Sequence, residues 1–154
     1  MKYEITKATE GEVVDFKNPD PAFYEALGHD GMQKMMYDFY DKIYDSEIAH
    51  FFPQDPEEFE KVKKKNTKFF IQICGGPSIY DESMRGVDLN KYMIDLHKDF
   101  SIYEKSRNEW LGTFREVLME TDVDEKLKED FWAYLDKFSK MTVNRWLKES
   151  AYVN

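Results

Sequence analysis

The stretch Leu89-Asn-Lys-Tyr-Met-Ile-Asp-Leu-His97-Lys-Asp-Phe-Ser101-Ile-Tyr-Glu104, continued by Trp110, Leu111 and Phe114, decides the fold. Leu89, Met93, Leu96 and Phe100 recur at helical spacing, and His97 falls on the same apolar face. A titratable ring on such a face is costly unless something binds it. Ser101-x-x-Glu104 has the form of a capping box, and after it Trp110, Phe114, Val117 and Leu118 make one stripe. An inward histidine therefore closes one helix, and an inward tryptophan lies about a turn and a half into the next. Burial alone leaves the histidine's partner open: zinc, a carbonyl, or nothing special.

Bulk properties bound the answer. At 154 residues the chain is long enough for one domain with a real core and too short for two. A net charge of -9 argues against nucleic acid and anionic membrane surfaces as partners. Cys74 is the single cysteine, which excludes an internal disulfide and points to a reducing compartment. No apolar run approaches a membrane span and the polar start has no signal-peptide core, so a cytoplasmic protein is expected. Aromatic residues make up 16% of the chain, more than a minimal bundle needs, which suits a fold wrapped around something flat or large.

Outward from the opening stretch, the apolar period is helical throughout. Residues 1–22 carry Lys-Asn-Pro-Asp-Pro and no sustained period, and read as an N-terminal extension, partly ordered at best. Phe23 to Gly28 is a short helical turn closed by glycine. From Asp30 as a cap, Met32, Met35, Met36, Phe39, Tyr40 and Ile43 form an amphipathic helix ending near Asp45-Ser46. The corner Ile48 to Pro53 holds Phe51 and Phe52, which should face a core, with His50 at the surface. Asp55-Pro56-Glu-Glu58 starts a helix through Phe59, Val62, Asn66, Phe69, Phe70 and Ile73, with Lys63 to Lys65 on a solvated face. Gly75-Gly76-Pro77 stops it, and residues 78–87 form a loop. A last helix is expected to carry Leu127, Phe131, Tyr134, Leu135, Phe138, Met141 and Trp146. About six helices and no strand-like alternation make the chain all-α.

Asn66 is out of place on its stripe. A buried amide needs hydrogen-bond partners, so it either bonds a neighbouring helix or lines a cavity. His29, His50 and His97 lack the spacing of a zinc or di-iron site, and Gly75-Gly76-Pro77 is no phosphate loop. What remains is one inward histidine with Tyr40, Asn66 and Trp110 from other helices. That set meets the needs of a haem pocket: one imidazole for the iron, apolar cover for the porphyrin, and a few donors facing the open iron position.

Phe23-Tyr24-x-Ala26-x-Gly28, Phe39-Tyr40, Phe52-Pro53, Gly75-Gly76-Pro77 with Tyr80, His97-x-x-Phe100-x-Ile102, Arg107-x-x-Trp110-Leu111 and Val143-Asn144 together resemble the truncated haemoglobins, most of all group II. The resemblance implies a globin-like, two-over-two helical sandwich over residues 23–150 that encloses haem b. It implies His97 as proximal iron ligand, Tyr40 as distal donor, Trp110 as a second donor and Phe52 as the aromatic packed on the haem. Val62 and Asn66 take the distal-helix positions, Val62 excluding a distal histidine. Phe69, Phe70, Tyr80, Phe100 and Ile102 complete the cofactor-binding set, and Lys65 is the candidate for a haem propionate. The stretch between Gly86 and His97 is a few residues longer than the family pattern.

These readings point to a dioxygen-binding protein with slow release. Nitric oxide, carbon monoxide, peroxide and sulfide are alternative small ligands, a reductase is a candidate partner, and the expected state is a monomer or small homo-oligomer. A haem enzyme with peroxidase or nitric-oxide dioxygenase activity, and a haem-free helical interaction module, are the rival classes.

Overall fold

The computed structural model describes residues 3–80 and 87–147, and among them every regular element is helical. Five α-helices follow in order: α1 (Pro21–Tyr44), α2 (Pro56–Ile73), α3 (Leu89–Leu96), α4 (Glu104–Glu120) and α5 (Glu125–Lys140). Short 3-10 turns occupy Ala49–Phe51 and His97–Asp99. Helix α1 packs on α2, α4 and α5, and α4 packs on α5, giving the two-over-two sandwich.

The helix starts follow the sequence signals. Asp20, Asp55, Asp88 and Asp124 each accept a backbone N–H from the first turn of α1, α2, α3 and α5, and proline opens α1 and α2. Gly28, at φ 71° and ψ 179°, leaves helical geometry, so α1 has two arms and the helix expected from Asp30 is the second. At the end of α2, Gly75 adopts φ 90°, and a Cβ there would lie 2.9 Å from Pro21 Cβ. Glycine is thus what lets the α2 stop close on the start of α1. Stacked rings fill the core, with Phe39 on Phe114 at 3.8 Å and Phe23 on Phe131 at 4.5 Å between centroids.

Several expectations are corrected. The Ser101–Glu104 capping box does not form: Tyr103 is the cap of α4 and gives no side-chain bond, because Glu104 instead accepts the Ala8 N–H at 2.6 Å and pairs with Arg107 at 3.1 Å. Helix α5 ends at Lys140, and Trp146 lies beyond it, packed on the cluster of Ala8, Ile102 and Val143. Lys63 is not on a solvated face; it is buried, bonds Asp41 at 3.0 Å and Glu60 at 3.2 Å, and lies over the Tyr37 ring. Of the loop expected at 78–87, residues 81–86 lie outside the described residues, as do residues 148–150 of the expected domain and residues 1–2 of the extension.

The largest correction concerns the segment before α1, which is docked rather than loose. Tyr3 Oη donates to Glu125, and the Trp132 indole donates to Glu4 O at 2.8 Å. Thr6 donates to Asp136 through both its N–H, at 3.0 Å, and its hydroxyl, at 2.6 Å. Further along, Phe16 meets the edges of Tyr134 and Phe138. Two of these bonds run through the segment's backbone, Glu4 O and the Thr6 N–H, which no side-chain period announces.

Candidate functional site

A cavity of about 390 Å³ opens between α2, the corner after α1, the α3–α4 turn and the inner faces of α4 and α5. Its walls are mostly aromatic and aliphatic. Among the residues singled out in the sequence, Phe52, Val62, Asn66, His97, Phe100, Ile102 and Trp110 line it together. Leu96 and Phe100, 44% and 42% exposed, turn toward this space rather than into the core.

His97 sits at the junction of α3 and the following 3-10 turn. Its Nδ1 lies 2.6 Å from Met93 O, one helical turn back. With the N–H on Nδ1 donated to that carbonyl, Nε2 carries the lone pair, which is the tautomer a metal-binding imidazole needs. Burial pushes the imidazole's pKa below the ordinary histidine value, opposed in part by the Met93 carbonyl, so the neutral form is favoured.

Tyr40 lies behind the wall. It is buried on α1, with Phe39, Phe52 and Phe59 edge-on around it. Asn66 Nδ2 donates to Tyr40 Oη at 2.9 Å, which joins α2 to α1 and satisfies the amide that was out of place on its stripe. Burial raises the phenol's pKa well above the usual range, more than the Asn66 bond lowers it, so Tyr40 is a neutral O–H. Trp110 lies on α4 with its ring against Phe39 and Phe114. Its indole N–H pairs with no described residue.

Four expected contact residues lie elsewhere. Phe69 and Phe70 are core residues, packed on Phe138 and Tyr80 and on Phe114 and Phe131 respectively. Tyr80 is buried beside Phe69, its N–H bonded to Gln72 Oε1 at 3.0 Å, and Lys65 Nζ lies over the Tyr80 ring at 5.4 Å. None of the four lines the cavity. Phe69 and Phe70 share the α2 stripe with Val62 and Asn66, and spacing alone cannot separate core from cavity wall along one helix face.

Sequence reading assigned no role to Arg107, Ser139 and Thr142, yet all three line the cavity. Arg107 is fully buried and places its guanidinium against Ser139 Oγ, Thr6 O, Glu104 and Asp136 at 2.7 to 3.3 Å. Its position three residues before Trp110, on the same helical face, was the available signal.

A model of the bacterial-like globin family matches residues 22–144. The chain is a bacterial-like globin. Among its relatives, a group 2 truncated haemoglobin of Bacillus subtilis is 21% identical over 122 residues, which is 79% of this globin and 88% of the relative. Among solved structures, phosphate-bound Hell's gate globin IV is similar, at 27% identity and a TM-score of 0.78, covering 92% of this globin and 87% of that chain. The group II truncated haemoglobin of Bacillus anthracis shares the fold at 20% identity and a TM-score of 0.71, over 88% and 99% of the two chains.

The family implies haem, and the residues of this globin fit it. The cavity volume falls in the ~300–1,000 Å³ range of cofactor and ligand sites. Its wall is apolar, with one histidine whose second nitrogen is already committed. Among the described residues no group of three His, Cys, Asp or Glu side chains is placed to hold a metal ion. No helix among them is long and apolar enough to cross a membrane.

Proposed function

We propose that this globin binds dioxygen at a haem b held by His97, with Tyr40, Asn66 and Trp110 as distal donors that slow ligand release. The observation that supports this reading is one largely apolar cavity lined by an imidazole anchored through Nδ1 and by an amide, Asn66, that is bonded to the Tyr40 phenol behind the wall. Noncovalent haem b is the form expected, since the single cysteine, Cys74, is buried in the core and provides no attachment motif.

When bound, the haem supplies an iron with one coordination position open to a small ligand. The protein's part is to hold, shield and stabilise. Because Asn66 donates to Tyr40 Oη, the phenol does not spend its own hydrogen on that bond. Trp110 brings a second donor from α4, and Phe52, Phe100 and Ile102 keep water from the ring faces. A ligand that gains negative character is held by each such donor with about 1.5–3 kcal/mol. Two donors therefore slow release by roughly two orders of magnitude or more. Slow release suits scavenging, sensing or redox turnover with a reductase better than carriage. The same donors would polarise a peroxide bond, which makes peroxidase-like turnover the second reading.

Absorption spectra of the purified protein in ferric, ferrous and oxygenated forms test the proposal. A Soret band is expected, lost in His97→Ala and restored by added imidazole. A His97→Ala protein with a normal five-coordinate spectrum would end the assignment of His97.

A further inference from the structure

We infer that Asn144, in the segment after α5, is a positioning residue for His97: its side chain fixes the turn that follows the histidine and so sets where the imidazole stands in the cavity. The inference rests on His97 being the iron ligand. Asn144 Nδ2 donates to Phe100 O at 2.8 Å and to His97 O at 3.2 Å, while Oδ1 accepts the Ile102 N–H at 2.9 Å. The backbone closes the same junction, with the N–H groups of Asn144 and Arg145 each 3.0 Å from Ile102 O. One amide thus spans both ends of the turn from 97 to 102, and Val143 beside it is buried against Ile102 and Ala8.

The need for such a pin follows from α3 itself. It has eight residues, fewer than the ~12–15 at which an isolated helix becomes even marginally stable, so its place is set from outside. At its start, Asn90 accepts the Tyr134 hydroxyl and donates to Asn18, both at 2.6 Å. At its end the external side-chain bonds to the His97 and Phe100 carbonyls come from Asn144. His97 is therefore clamped twice: through its ring by Met93 O, within its own helix, and through its carbonyl by a residue 47 positions away. The first clamp sets ring rotation, and the second sets the height of the backbone that carries it.

Resonance Raman of the ferrous, haem-loaded protein reads this directly, because the iron–histidine stretch reports the imidazole's placement. The variants are Asn144→Ala and Asn144→Asp, the latter keeping an acceptor for the Ile102 N–H and losing both donors to the carbonyls. Both are expected to shift or broaden the band and to speed haem loss to a scavenging apoglobin by roughly tenfold, the equivalent of about 1.4 kcal/mol. In His97→Gly supplemented with imidazole the ligand is no longer tethered, and adding Asn144→Ala should leave the band unmoved. A wild-type band in Asn144→Asp overturns the inference, and so does an equal shift in the untethered background. A wild-type band in His97→Gly itself, without imidazole, overturns instead the assignment of His97.

Discussion

Replacing Tyr40 with phenylalanine removes one oxygen atom and leaves a ring that the pocket already accommodates among Phe39, Phe52 and Phe59. Two consequences follow, with different magnitudes. A bound ligand loses a donor worth about 1.5–3 kcal/mol, which corresponds to oxygen dissociation roughly ten- to a hundredfold faster. Asn66 Nδ2 loses its acceptor at the cavity wall, where water can replace it, so the stability cost stays near 1 kcal/mol. The freed amide can also turn toward the ligand and recover part of the first effect. Tyr40→Phe combined with Asn66→Leu should therefore release oxygen faster than Tyr40→Phe alone, while Asn66→Leu by itself has the smaller effect. Stopped-flow displacement of oxygen by carbon monoxide measures all three rates. Wild-type rates in both Tyr40→Phe and the double variant would refute the distal donor network.

Arg107→Met removes a fully buried guanidinium and strands Glu104 and Asp136, 24% and 10% exposed, so unfolding in urea should show a loss of about 3–5 kcal/mol. A loss under ~1 kcal/mol would mean the network is dispensable. Deleting residues 1–8 takes away the partners of the Trp132 indole, Asp136 and the Glu104 carboxylate. At about 2–4 kcal/mol in total, that lowers Tm by roughly 4–16 °C in thermal melts, and an unchanged Tm would contradict the docking described. In the haem-free protein, burial depresses the His97 pKa below its unfolded value of about 6.5. The unfolded chain therefore binds more protons between those two values, and stability should rise as pH increases through that window and level off above it. His97→Gln should flatten this slope, and a variant that kept it would assign the effect to another group.

What the sequence disclosed was whatever a side chain does along its own element. The cap Asp55, the Gly75 stop and the α1 and α4 stripes follow from spacing and are observed, and Asn66, His97 and Trp110, read as inward, line one cavity. What it hid depends on partners distant in the chain. Ser101-x-x-Glu104 satisfies the local rule for a capping box, but Arg107 and the Ala8 N–H compete for the same carboxylate and win. Lys63 belongs to a lysine run that reads as solvated until Asp41 on α1 draws it in. Phe69 and Phe70 share a stripe with Val62 and Asn66, yet half of that stripe meets α4 and α5 and half meets the cavity. Residues 3–20 carry no period because their bonds run largely through backbone groups, which every residue has alike.

That segment also imposes an order on biosynthesis. Thr6 and Asp136 are 130 positions apart, so the stretch that leaves the ribosome early is held by the helix that leaves it late. Until α5 has emerged, Thr6 lacks its carboxylate, and Arg107, though already made, lacks Ser139 and Asp136 to receive its guanidinium. The final closure is thus a long-range event, of the slow kind that non-local contacts produce. Since Arg107 and Ser139 belong to the cavity wall, the pocket reaches its finished shape together with that closure. A finished cavity wall therefore requires that α5 already be in place.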